Sequence, residues 1–224
     1  MFIKRKAINK HVGKKIKYIA LISNINEENN LLYNLMKKEG YNCAYLTSHI
    51  LCYKNKKIYF NNKYLNTSLL KNILEKLSDE KISHLFINFS AKEDNIFNYL
   101  QFDTIIIYTE LQKQRKIINH IKKMNKSYET TIITEDKNTK YFRKQKKIIS
   151  YGKQGDYKVI NSSIKKGSYI LNIEHQYNKY TLKLLTQNAT IIQDYLLSIL
   201  YLRSLDIDIL KILNFINKHQ KRTK

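Results

Sequence analysis

Four short apolar runs constrain this chain more than any other feature: Lys17–Ser23 (KYIALIS), His84–Phe89 (HLFINF), Asp103–Thr109 (DTIIIYT) and Thr130–Thr134 (TTIIT). Each is too short for a buried helix and apolar without strict alternation, the pattern of a strand covered on both faces. Helical patterns lie between them. Glu27–Glu39 carries Leu31, Leu32, Leu35 and Met36 at helical spacing and is closed by Gly40, the residue type that ends a helix in the left-handed conformation. Asn42–Thr47 reads as a further strand, and Ile50–Tyr53 and Lys57–Phe60 flank Lys54-Asn55-Lys56 as a hairpin. Thr67 is placed to cap a helix with Leu69, Leu70, Ile73, Leu74 and Leu77 on one stripe. Leu111–Met124 reads as a basic helix. Strand and helix alternate this far, so the expected class is α/β, a mostly parallel sheet with helices on both faces.

Beyond residue 147 the pattern changes. Ile148–Tyr151, Tyr157–Asn161, Ser168–Glu174 and Tyr180–Leu185 are short strands broken by Gly152, Gly155, Gly167 and Tyr177-Asn178, the spacing of a small antiparallel sheet near residues 148–185. Two helices follow, Thr190–Arg203 and Asp206–Lys218. The reading is a basic N-terminal extension (1–16), one domain (17–218) and a basic tail (219–224), with no repeat and no Ser- or Gly-rich linker.

Composition removes several classes. With 43% hydrophobic and 12% aromatic residues the chain has the material for a core, which excludes disorder. No apolar run reaches the roughly 18 residues that a membrane helix needs. No apolar h-region follows the basic N-terminus, so the expected compartment is the cytoplasm. Cys43 and Cys52 are too few for a disulfide framework or a cysteine metal site. The formal charge of +23 would attract a polyanion, yet only Arg5, Arg115, Arg143, Arg203 and Arg222 are arginine, the side chain that dedicated phosphate and base readers favour. Abundant Lys, Asn, Ile and Tyr together follow from an AT-rich genome without any nucleic-acid ligand.

The order of elements and several local strings resemble the central ATP-binding domain of the Mur ligase family, which joins amino acids to a carboxyl group through an acyl phosphate. The family opens with a strand, a glycine-rich phosphate loop, a helix and a strand ending in Thr; here these positions are Tyr18–Ser23, Asn24–Asn30, the helix to Gly40, and Ala44–Thr47. The hairpin that follows in cyanophycin synthetases is similar to Leu46–Tyr59. Leu85–Phe89 and Phe102–Leu111 resemble the family's next two strands, Ile132–Lys137 its "viNaDD" string, Ile149–Tyr157 its "sfG..gad" string, and Leu196–Asp206 its closing helix. The resemblance implies a P-loop-type fold, an ATP and Mg²⁺ site, and an acid–amino-acid ligase activity.

The residues at those positions depart from what that chemistry needs. A phosphate loop uses glycines so that backbone N–H groups can close on the phosphates, a lysine for the β/γ-phosphates and a hydroxyl for Mg²⁺. Asn24-Ile25-Asn26-Glu27-Glu28-Asn29-Asn30 contains none of the three. Glu27 and Glu28 would repel a triphosphate, and they suit instead the positive end of a helix dipole. The family's Mg²⁺-binding Glu falls near Asn88, and its acidic–histidine pair after "TNL" has no counterpart in Gln112-Lys113-Gln114-Arg115. Two positions carry over as nucleotide-site matches: Lys116, at the family's carbamylated lysine, and Asp136, at the first Asp of "NaDD". His49, His84, His120 and His175 share no metal-ligand spacing.

The family also has a substrate domain before this one and an amino-acid-binding domain after it. About sixteen residues before the first strand and the end at Lys224 leave neither a place, so a stand-alone central domain is expected. Three functions follow. The first is a pseudoenzyme that needs no ATP or Mg²⁺ and pairs with an active ligase or amidotransferase, or holds a peptidoglycan-precursor-like ligand. The second is a ligase completed by another chain, with ATP and Mg²⁺. The third is a basic nucleic-acid-binding protein, which requires lysines clustered on one face.

Overall fold

In the computed structural model the described residues are 16–22, 31–47, 49–54, 56–60, 66–89, 100–109, 111, 118–119, 121–122, 130–142 and 147–222. The first half runs β1 (Lys17–Ile22), α1 (Leu31–Lys38), β2 (Cys43–Leu46), β3 (Ile50–Tyr53), β4 (Lys56–Tyr59), α2 (Thr67–Asp79) and β5 (His84–Phe89). It continues with β6 (Thr104–Ile107), β7 (Thr131–Glu135), the one-turn helix α3 (Asp136–Thr139) and β8 (Lys147–Gly152). Next come β9 (Tyr157–Lys165), β10 (Ser168–His175), β11 (Asn178–Leu184), α4 (Ala189–Ser204) and α5 (Ile209–Arg222). All the strands among the described residues form one eleven-stranded sheet in the order β11-β10-β9-β8-β7-β6-β1-β5-β2-β3-β4.

The run from β9 to β2 is parallel throughout. Antiparallel pairs extend it at both ends, β2–β3–β4 on one side and β9–β10–β11 on the other. The strand at 147–152 therefore belongs to the parallel sheet. The antiparallel segment begins at Tyr157 and is continuous with the main sheet. The hairpin expected around Lys54-Asn55-Lys56 is β3–β4. Strand β8 pairs with β9 only at Tyr151 and Gly152, because the turn at Gly152 carries the chain straight into the next strand.

Unbroken apolar strands put a core on each face. Tyr18, Ala20 and Ile22 of β1 pack with Leu85, Ile87, Ile105, Ile107 and Ile132 beneath α2, whose Leu70, Ile73, Leu74 and Leu77 face them. The alternate residues Ile19, Leu21, Phe86, Ile106 and Ile133 pack with Leu32 and Met36 of α1 and with α4 and α5. Helix α4 buries Ile192 and the whole run Tyr195–Leu202; it is a core helix rather than an amphipathic cover. The first turn of α2 is capped by Asn66, not by Thr67: its side chain accepts from Leu69 N at 2.8 Å, and Thr67 is the first helical residue. Gly40 has φ +83, and Tyr41 N donates to Met36 O at 3.1 Å, a left-handed helix end of the expected kind. Helix α5 runs to Arg222, past the end expected at Lys218. Of the basic helix expected at Leu111–Met124, residues 118–119 and 121–122 are helical and most of the rest lies outside the described residues. No helix among the described residues is long and apolar enough to cross a membrane.

One core residue makes stability depend on pH. His84 opens β5 at 5% exposure, with Nδ1 2.9 Å from Ser83 Oγ and the ring edge-on to Tyr41 at 5.3 Å. Its Nε2 has no hydrogen-bond partner. Burial, with Lys17 alongside, lowers its pKa to about 4. The folded state therefore holds the ring neutral at pH values where the unfolded chain protonates it. This contribution is complete above about pH 6.5 and is lost as pH falls toward 4, a loss of about 3 kcal/mol for a shift of this size. Urea midpoints measured from pH 7.5 to 4.5 are expected to fall more steeply in the wild type than in His84→Phe. Parallel curves would show that His84 does not titrate in this way.

Candidate functional site

In a parallel sheet the loops that follow the strands gather on one edge, where open α/β sheets place their ligands. Strands β1, β5, β6, β7 and β8 all end there. A cleft of about 470 Å³ opens beside this edge. Tyr108 follows β6, Glu135 ends β7, Lys137 lies on α3, and Tyr151 lies on β8. Tyr169 of β10 closes one side; Gln187 and the first turns of α4, with Ala189, Ile192, Gln193 and Leu196, close the other.

The cleft is polar but internally balanced. Lys137 Nζ lies 3.0 Å from Glu135 Oε2, so each charge faces its counter-ion. Burial raises the Tyr151 pKa far above the ordinary phenol value, and the carboxylate of Glu135 adds to the shift, while a hydrogen bond with Gln193 opposes it. Tyr151 therefore stays a neutral phenol. Three tyrosine rings, two glutamine amides and one ion pair suit a ligand held by ring contacts and neutral hydrogen bonds. They offer no activated nucleophile.

A hydrogen-bonded layer supports the cleft. Asn138 of α3 is 1% exposed. Its Nδ2 donates to Thr109 O at 3.1 Å and to Thr134 Oγ1 at 3.0 Å, and its Oδ1 accepts from Leu111 N at 3.1 Å. One amide thereby ties the loop after β6 to the end of β7. Beside it, Asp136 Oδ2 accepts from Gln154 N at 2.8 Å. Gly152 presses against the same carboxylate: with φ +140, a Cβ there would sit 2.4 Å from Asp136 Cγ. Asp156 completes the turn, its Oδ2 accepting from Ser150 N at 2.8 Å and Ser150 Oγ at 3.0 Å.

Asp136, expected at a nucleotide, is thus placed against the turn that follows β8. Lys116 and the whole of Asn24–Asn30 lie outside the described residues. Asn88, at the family's metal position, is buried, and its Nδ2 donates to Tyr45 Oη at 3.1 Å. Among the described residues no group of three or more His, Cys, Asp or Glu side chains could hold a metal ion. Among the described residues His84 and His175 stay apart. His84 sits at the opposite edge of the sheet, and His175 stacks on Tyr157 with ring centroids 4.0 Å apart. Asn138 and Gln193 carry no signal in the sequence beyond their residue type, and Tyr108 and Tyr151 lie in family-like strings without being marked there as site residues. The side-by-side order of β6, β7 and β8, with the first turns of α4 laid against it, brings them together.

By sequence, the chain matches no protein-family model and no curated protein. By structure it is similar to a UDP-N-acetylmuramoyl-L-alanyl-D-glutamate–2,6-diaminopimelate ligase, with a TM-score of 0.74 at 12% identity over 94% of this chain and 48% of that one. It is similar also to the MurF ligase of Thermotoga maritima, solved with ADP, with a TM-score of 0.60 at 15% identity over 92% of this chain and 49% of that one. For the folylpolyglutamate synthetase of Lactobacillus casei the TM-score is 0.60 at 10% identity, over 96% of this chain and 67% of that one. The chain has the Mur ligase-type fold and spans about half the length of the Mur ligases it matches.

Proposed function

We propose that this domain keeps the Mur ligase-type fold but binds its ligand or partner without ATP-dependent ligation. The observation that carries this reading is the composition of Asn24–Asn30, the segment after β1 that matches the family's phosphate-loop string, which has no glycine, lysine or hydroxyl residue and carries Glu27 and Glu28, whose charges would repel a triphosphate. The rest of the edge supports it. Asn88 brings no charge to offset a divalent ion. Asp136 is bonded to the backbone of its own chain. These residues do not fit Mg-ATP held in the family manner. The occupant we favour is a peptidoglycan-precursor-like ligand in the cleft of Tyr108, Tyr151 and Gln193, or an active ligase or amidotransferase docked on this edge.

A ligase completed by another chain is the second reading. It is favoured by the neighbour solved with ADP and by the neighbours' ligase names. Calorimetric titration separates the two. Mg-ATP at millimolar concentration is expected to give no binding heat, whereas a UDP-N-acetylmuramoyl peptide is expected to bind. One-to-one binding of Mg-ATP would overturn the non-catalytic reading and put the ligase first.

A further inference from the structure

The antiparallel wing offers a face that the cleft does not use. One side of β9–β10–β11 is buried through Tyr157, Leu171, Ile173, Leu182 and Leu184 against α4 and α5. The register places the alternate residues on the other side. There Lys158 lies opposite Glu174, which lies opposite Lys179, and Lys183 and Lys165 stand farther along the same face. All four lysines are exposed, and Glu174 is the one acidic side chain among them. The centre is neutral: Asn172 Nδ2 donates to Asn161 Oδ1 at 2.6 Å, and Thr181 Oγ1 donates to Asn172 Oδ1 at 2.8 Å. An AT-rich genome accounts for how many lysines the chain has, but not for their gathering around a polar strip.

The hairpin at one end of this face is strained. The β10–β11 turn holds Gln176 at φ +49 and Tyr177 at φ +65, and Tyr177 is 97% exposed. Such a turn strongly prefers Asn-Gly, and a bulky residue with positive φ is an outlier. A fully exposed aromatic ring kept at that cost marks a contact surface.

We propose that this wing binds single-stranded nucleic acid without sequence preference. Lys158, Lys165, Lys179 and Lys183 would meet successive phosphates, and the Tyr177 ring would receive a stacked base. Single strands lie on open sheet faces, combining lysine-lined tracks with aromatic stacking. The interior of a protein–protein interface would instead be apolar and poor in lysine.

The test is fluorescence anisotropy with a labelled oligo-dT on the full chain, over a range of salt concentrations. Lys158→Glu/Lys179→Glu/Lys183→Glu is expected to weaken binding at least tenfold and to make the salt slope shallower by about 2, close to 0.7 for each phosphate that is no longer neutralised. The control Lys56→Glu/Lys57→Glu/Lys71→Glu makes the same charge change at the far end of the sheet, on β4 and α2, and is expected to bind nearly as the wild type does. Tyr177→Gly relieves the positive φ, so its Tm is expected not to fall while its binding weakens about tenfold. Equal weakening by both lysine triplets would reduce the effect to the overall charge and overturn the proposal. Unchanged binding by Tyr177→Gly would overturn it too, as would no binding by the wild type. Capture of anionic vesicles or an acidic protein in place of the oligonucleotide would also count against it.

Discussion

Gly152→Ala is expected to destabilise the domain by about 4 kcal/mol, and about half of that loss is expected to disappear when Asp136→Ala is added. The two contributions have separate origins. A φ of +140 is a conformation that side chains rarely adopt, and holding alanine there costs about 1–3 kcal/mol. The rest comes from collision. The new methyl group would lie 2.4–2.6 Å from three atoms of the Asp136 carboxylate. Either the carboxylate leaves Gln154 N, or the turn moves away from β7. Asp136→Ala alone removes a partly exposed hydrogen bond and should cost about 1 kcal/mol. In the Gly152→Ala background it removes the obstacle, so it should stabilise by about 2 kcal/mol. A double-mutant cycle read from urea midpoints checks this, with an expected coupling of about 3 kcal/mol. Additive losses would mean that the turn relaxes without using Asp136. A carboxylate packed in this way holds the turn after β8 in place.

That residue shows where sequence reading ends. The parallel sheet was legible because a strand buried on both faces leaves an apolar run with no polar alternation, and Ile19, Leu21, Phe86 and Ile106 face one core while Ala20, Ile87 and Ile107 face the other. Gly40 was legible because a helix end imposes a local backbone demand. The site was less so. Asp136 stood out as an acid in a family string, but its partner is eighteen residues away, across a strand and a turn. Thr67 and Asn66 are both capping types one residue apart, and only the backbone direction chooses between them. The junction of the parallel sheet with the wing depends on β8 pairing with β7 on one side and β9 on the other, and strand order is not written in strand composition. The lysine-bearing face of the wing became visible only with its register, because the bulge between Asn172 and Ile173 shifts which residues of β9 share a side.

Asn138 gives the second large expectation. In the string Asp136-Lys137-Asn138-Thr139 it looks like an ordinary polar residue of a loop, yet it is buried with three hydrogen bonds. Asn138→Ala removes all three and leaves a void among polar groups, which should cost about 4 kcal/mol when each bond and the desolvation of its abandoned partner are counted. Asn138→Asp separates donor from acceptor at nearly constant volume. The carboxylate can still accept from Leu111 N and from the Thr134 hydroxyl, but it turns a lone pair toward Thr109 O, where the amide had donated. Burial and that carbonyl both disfavour the charged form, so the folded-state pKa of the new carboxyl rises above its unfolded value. A raised pKa gives stability that is present at low pH, when the acid is protonated and can donate to Thr109 O, and that is lost as pH rises through the folded pKa. Relative to the wild type at each pH, Asn138→Asp should therefore be nearly as damaging as Asn138→Ala at pH 8 and should recover as the solution is acidified. Asn138→Ala should keep a constant deficit. Denaturant midpoints for the three proteins across pH 5–8 decide the matter. A flat Asn138→Asp deficit would mean that the donation to Thr109 O contributes nothing, and that Asn138 holds the edge of the sheet through Leu111 and Thr134 alone.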